Sequence, residues 1–209
     1  MISMRKRRIS RVPRELPILL FLVALCAGLA IANRNFLAAG NLRTIGTDAA
    51  AIGIISVGMT AVIITGGIDL SVAAILALSA LMGGGLIAQG SVLLGCVVTL
   101  ATGLVCGALN GGLITIARMP PIIATLGTFY VLQSAATLYS GGNVVYLAGH
   151  LSLLGRGYAP LAIMLSICGA GYAVMRLTRI GRYIYAVGGN EESARLAGIS
   201  PARVKMIVY

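Results

Sequence analysis

Six apolar runs, at about residues 16–33, 47–66, 70–88, 91–117, 121–139 and 157–175, are each long enough to cross a lipid bilayer. A spanning helix needs about 20 mainly apolar residues, with a range of about 17–25. In hydrocarbon every backbone N–H and C=O must be satisfied within the chain, so lone runs of this kind have to be helices. The expected fold is therefore an all-α polytopic membrane protein with about six transmembrane helices in these 209 residues. Composition agrees, with 58% hydrophobic and 10% charged residues, where soluble domains carry about 25% charged residues. The connections are short and rich in Gly, Asn and Arg, which predicts antiparallel hairpins between neighbouring spans.

The net charge of +11 is explained by where the charges lie. Six basic residues fall in Arg5–Arg14 and six in Arg176–Lys205, both flanking apolar runs. That placement orients membrane spans and argues against nucleic acid as the partner. With the N-terminal basic run inside, six spans return 176–208 to the inside, and Arg118 also falls there. Arg34, Arg43 and Arg156 are left outside, thirteen basic residues against three. The N-terminus also has the layout of a secretory signal, ending in Ala30-Ile-Ala32. An uncleaved first span is the expected reading, because the rest of the chain is itself polytopic.

Cys26, Cys96, Cys106 and Cys168 sit in apolar runs without C-x-x-C spacing and read as small buried hydrophobes rather than metal ligands. His150, the single histidine, reads as a solvated loop residue. Gly103, Gly107 and Gly111 share one helix face at four-residue spacing, which lets another backbone approach closely; packing within the chain is favoured over a subunit contact.

Three polar constellations interrupt the apolar pattern. The first is Thr65-Gly66-Gly67-Ile68-Asp69-Leu70-Ser71. A carboxylate at membrane depth costs about 2.5–3.5 kcal/mol on insertion scales, so Asp69 needs a partner or water. The glycine pair permits a sharp break, and Asp69 is expected to cap a helix starting at Leu70. A capped break is the plain reading; a role of Gly66, Gly67, Asp69 and Ser71 on a transport path or in gating is the sharper one. No second titratable group stands beside Asp69 in sequence, so catalysis or a proton relay is poorly supplied.

The second is Arg118-Met-Pro-Pro121-Ile-Ile-Ala-Thr-Leu-Gly-Thr128. Pro120 and Pro121 mark the start of a span. Thr125 and Thr128, three apart on one face, can bond across helices or line a polar path for a hydroxylated solute. The third is the polar stretch Arg176–Lys205. Gly188-Gly189 reads as a flexible entry, Asn190 as an N-cap, and Glu191-Glu192 as acids suited to a helix N-terminus. Glu191 and Arg195 are spaced for an i,i+4 pair. Gly198 then closes a helix of about seven residues, Glu191–Ala197. Helices shorter than about 12–15 residues are marginal in water, so this one must lean on its own bundle, on lipid or on a soluble partner. Ser200-Pro201 starts another helix, and an apolar run opens at Val204.

Taken together and in this order, Thr65–Ser71, Pro121–Thr128 and Ile180–Tyr209 resemble the permease subunit of bacterial ABC importers for monosaccharides, the ribose-type family. The resemblance runs from about residue 16 to the end. It implies about ten spans, of which about six are present, so a C-terminally truncated chain is expected, with 204–209 beginning an incomplete span. It implies a cytoplasmic basic N-terminus over 1–15, a transmembrane bundle over 16–175 and a cytoplasmic coupling loop over 176–203. The location would be the bacterial inner membrane. Implied partners are a second permease copy or paralogue, cytoplasmic ATP-binding subunits and a periplasmic sugar-binding protein, besides the bilayer. ATP would be held by the partner subunits, with no cofactor, metal or catalytic residue on this chain. By the same likeness Gly189, Asn190, Glu191, Ala194, Arg195 and Gly198 shape the loop that meets the ATPase. No sugar-contacting residue is implied. Ala73 departs from the pattern, standing where many relatives have glycine. Three other readings compete: an ion-coupled carrier using Asp69, an intramembrane transferase or hydrolase using Asp69 as acid or base, and a non-functional permease fragment.

Overall fold

The computed structural model describes residues 16–145, 151–155 and 157–209, and its regular structure is helical throughout. His150, Arg156 and the basic run Arg5–Arg14 lie outside the described residues. The helices are α1 (Leu16–Ala32), α2 (Ala39–Ile64), α3 (Val72–Ala88), α4 (Val92–Thr115), α5 (Pro121–Ser140), α6 (Ser152–Gly155), α7 (Ala159–Leu177), α8 (Arg179–Gly189), α9 (Glu191–Leu196) and α10 (Pro201–Val208). Four of them, α2, α4, α5 and α7, are long and apolar enough to cross a membrane, and α1 and α3 are apolar helices of 17 residues. A 17-residue helix rises about 25 Å, at the short end of what a bilayer core requires.

The chain forms two compact units, residues 1–45 and 46–209, with the boundary inside α2. In the first, α1 carries no charged residue, and the turn after it is fixed by side chains. The Asn35 N–H donates to Asn33 Oδ1 (2.9 Å), and Asn41 Nδ2 donates to Phe36 O (2.8 Å).

In the second unit α3 packs most extensively, against α4 and α5. The α3–α4 seam is antiparallel and built on small residues. A methyl group on Gly83 would strike the Gly95 carbonyl oxygen, and one on Gly95 would strike that of Gly83. Backbones approach this closely only where neither helix carries a Cβ, which is how helices associate when lipid supplies no hydrophobic drive. Elsewhere α2 and α7 run side by side in the same direction. A side chain on Gly46 would touch Leu161, one on Gly53 would strike Met164, and one on Gly171 would strike Val57. That parallel register is what three intervening crossings produce. Large side chains such as Leu104 (75% exposed) and Leu138 (84% exposed) face outward. Apolar surface on this scale belongs in lipid. The molecule is a polytopic membrane protein.

The segment after α7 is ordered by its own small core. Ile184 and Val187 of α8, Ala194 of α9 and Val204 of α10 are buried together, against Ala61 and Ile64 of α2 and Met175 of α7. Thr178 caps α8 by accepting from the Gly181 N–H (3.2 Å). Gly181 and Gly188 are pressed against the Met175 and Ile64 carbonyl oxygens, leaving no room for a side chain at either.

Candidate functional site

The break between α2 and α3 is held by hydrogen bonds from two other helices. Gly66 takes a left-handed conformation (φ +77°) that ends α2. Beyond it the chain stays irregular to Ser71. Asp69 Oδ1 accepts from both the backbone N–H (2.8 Å) and the hydroxyl (2.6 Å) of Ser71. Asn110 on α4 donates through Nδ2 to Ser71 Oγ (2.7 Å), and Thr128 on α5 donates to Asn110 Oδ1 (2.7 Å). Proton supply dictates the order. A carboxylate only accepts, so Ser71 gives it the hydroxyl proton and keeps a lone pair for the Asn110 amide, which frees the amide oxygen for Thr128. Three donors thus point in sequence toward one carboxylate, and each bond polarises the next. The Thr125 hydroxyl holds the other side of the break. It accepts from the Leu70 N–H (3.2 Å) and lies 3.2 Å from Ile68 O and 2.8 Å from Pro121 O. Ser71, Asn110 and Thr125 are all fully buried.

Beside this network lies a cleft of about 240 Å³ between α2, α3, α4 and α10. Asp69 is the charged group on its wall, and Gly58, Met59, Ile75 and Gly107 are among its apolar lining. The Tyr209 hydroxyl is buried against Gly67, with no hydrogen-bond partner among the described residues. The glycine face of α4 receives α10: Gly107 meets the Tyr209 backbone and Gly111 meets Met206. Among the described residues no three of His, Cys, Asp and Glu gather where a metal ion would be held.

The second group of residues forms a capped turn at the other end of α10. The Asn190 side chain accepts from the Ser193 N–H (2.7 Å), and Gly198 closes α9 at φ +82°. Ser200 caps α10 by accepting from the Arg203 N–H, with Pro201 in the first helical position. Glu191 pairs with Lys205 of α10 (2.6 Å), and Arg195 pairs with Glu192 (2.7 Å). Ala194 faces the core while Leu196, on the same short helix, is 80% exposed.

Residues 41–209 match the family described as branched-chain amino acid transport system / permease component. The chain belongs to this permease family. It is 38% identical over 189 residues to the ribose import permease protein RbsC of Bacillus subtilis, covering 86% of this chain and 59% of that protein. It is 34% identical over 202 residues to RbsC of Escherichia coli K12, covering 91% and 63%. To the fructose import permease protein FrcC of Rhizobium meliloti it is 32% identical over 218 residues, covering 94% and 59%. The chain therefore spans about six tenths of the length of these curated relatives. They are transport proteins by name, not enzymes. No solved structure matches the chain significantly.

Against this permease the sequence-based expectations divide. Asp69, Ser71, Thr125 and Thr128 do come together, and the bonds from Thr125 and Thr128 do cross between elements. Asp69, however, does not cap a helix at Leu70. The helix starts at Val72, and Asp69 binds Ser71 instead, because Ser71 is held by Asn110 and the Leu70 N–H is taken by Thr125. Gly188 and Gly189 are not a flexible entry. They are the last two residues of α8, a helix whose apolar positions at Ile180, Ile184 and Val187 carry the helical period. The α9 helix has six residues, with Ala197 as its C-cap. Glu191 pairs with Lys205 rather than Arg195, since α10 folds back past α9. Asn110 was missed; its signal is an amide inside an otherwise apolar span, where an unpaired polar group is costly.

Proposed function

We propose that this chain is the transmembrane permease subunit of an ATP-driven importer, translocating a monosaccharide or similar small polyol across the bacterial inner membrane. The observation that carries the reading is the build of the α8–α9–α10 block. Its short helix is capped at both ends, seated on the bundle by Ala194, and presents Leu196 outward. A rigid, seated knob of this kind suits transmission of force from a soluble motor. The α10 helix then leads away from it. Lys205 ties α10 to α9, Val208 sits against the shared core, and Tyr209 packs against Gly67 in the break. A displacement of α9 would thus be felt beside Asp69, in the cleft that we assign to the translocation path.

In this reading residues 1–15 and 176–203 are cytoplasmic, 16–175 lie in the membrane and 204–209 enter the next span. Gly189, Asn190, Glu191, Ala194, Arg195 and Gly198 form the ATPase-coupling surface, with Leu196 added at its tip. ATP is held by cytoplasmic partner subunits, a second permease copy or paralogue completes the pore, and a periplasmic binding protein delivers the sugar. The names of the relatives favour ribose or fructose. Uptake of labelled ribose and fructose by cells lacking the cognate ATPase tests the reading. Loss of uptake there, with uptake in ATPase-positive cells surviving collapse of the ion gradients, supports it. Uptake that survives without the ATPase and fails with the gradient would favour ion coupling through Asp69 instead.

A further inference from the structure

A cleft of about 500 Å³ opens where the α4–α5 turn meets α9 and α10; Glu191 and Arg195 on its wall belong to the coupling surface proposed above, but the cleft itself has no ligand assigned. Its wall carries three cations, Arg118, Arg195 and Lys205, and one acid, Glu191. Lys205 is matched by Glu191, and Arg195 by Glu192. Arg118 has no acidic partner among the described residues, so the cleft is left with positive charge. Arg118 also stands in the left-handed region at φ +57°, an uncommon conformation for a residue with a Cβ, and such strain often marks a functional position. The other wall is apolar, from Ile114, Met119, Pro120 and Pro121.

Sharing Thr115 and Ala202 with this cleft is a second opening of about 380 Å³, bordered by Arg203, Met206 and Ile207. The two form one feature: a basic mouth at the ends of two membrane helices, continuing as a largely apolar opening along α10, closed on the other side by Thr115 at the end of α4. A free phosphate or an acidic side chain of a protein would use only the mouth. A molecule with an anionic head and a hydrocarbon tail uses both.

We propose that this feature binds an anionic phospholipid, its phosphate in the mouth with Arg118, Arg195 and Lys205, and the start of one acyl chain in the apolar opening along α10. Guanidinium and ammonium groups hold phosphate by charge-assisted hydrogen bonds, and basic pockets at helix ends are the membrane's usual headgroup sites. The proposal shares Arg195 with the coupling surface proposed above, but it needs neither ATPase nor sugar and is read out without them.

The test is native mass spectrometry of the purified protein titrated in detergent with phosphatidylglycerol, phosphatidylethanolamine or inorganic phosphate. Arg118→Gly removes the guanidinium and suits the left-handed backbone. Ala202→Phe closes the junction between mouth and apolar opening at an exposed position, and Arg182→Gln on α8 is a charge-matched control. Retention of phosphatidylglycerol over phosphatidylethanolamine is expected, falling about tenfold in Arg118→Gly and in Ala202→Phe but not in Arg182→Gln. Equal retention of the two lipids, or an equal loss in Arg182→Gln, would overturn the proposal. Inorganic phosphate competing fully with the lipid would reduce the site to a bare anion site. Weakened ATPase association in Arg118→Gly without any change in lipid retention would assign the cleft to a protein partner.

Discussion

The side-chain amide of Asn110 donates to the hydroxyl of Ser71 at 2.7 Å, and through it α4 holds the residue just before α3 in place. Neither group touches solvent. The bond sits in the middle of a chain running from Thr128 to Asp69, so the α2–α3 break takes its shape from helices α4 and α5, distant in sequence.

Replacing Asn110 by Leu is therefore expected to destabilise the protein by about 2–3 kcal/mol, from two lost hydrogen bonds and a misfitted core. Thr128→Val should cost less, about 1–2 kcal/mol, because it leaves only the Asn110 oxygen unpaired. Unfolding in mixed micelles would rank the two. An Asn110→Leu protein as stable as wild type would mean that the network does not hold the break.

Glycines in the α8 region separate close approach from mere absence of a side chain. Gly188→Ala places a methyl group against the Ile64 carbonyl oxygen and is expected to cost about 1–3 kcal/mol. Gly189→Ala, one residue on, meets nothing within 4 Å, and should leave stability unchanged or raise it by up to about 0.5 kcal/mol. Thermal unfolding of the two proteins should move in opposite directions or differ sharply. Equal losses would argue that α8 does not sit on the end of α2 as described.

Gly198 makes a third case, because backbone conformation alone is at stake. At φ +82° with open space around its Cα, Gly198→Ala should cost about 1–2 kcal/mol and Gly198→Asn less, since asparagine tolerates the left-handed region better. Hydrogen exchange of the Ser193–Arg195 amides is the direct readout. It should quicken in Gly198→Ala and change little in Gly198→Asn.

How much of this was legible in the chain depends on the range of the interaction. Apart from α2, which starts at Ala39 rather than near residue 47, the spans begin and end within about two residues of where hydropathy places them, because the bilayer constraint acts on each segment alone. The caps Asn190, Ser200 and Gly198 are local in the same sense: the residue and its partner lie within one turn. The amide of Asn110 stood out in its apolar span, but its role was not legible, since its partners are Ser71, on the far side of α3, and Thr128, in the next helix. The partner of Glu191 was misread for the same reason. An i,i+4 rule finds Arg195, whereas the fold brings Lys205 from fourteen residues away. The α8 helix was hidden by its own polarity. Arg179, Arg182 and three glycines mask an apolar period that becomes meaningful only once Ile64 and Met175 offer a surface to pack on.

The central claim is that α9 is the docking element for a cytoplasmic ATPase, with Leu196 at its tip. It is tested most directly by pull-down of the cognate ATPase from solubilised membranes, using wild-type protein and Leu196→Asp. Leu196 is exposed, so the substitution should change stability by no more than about 0.5 kcal/mol. A central apolar anchor at an interface contributes more than about 1 kcal/mol, so ATPase retention should fall about tenfold. Retention equal to wild type, in a variant of unchanged thermal stability, would contradict the account.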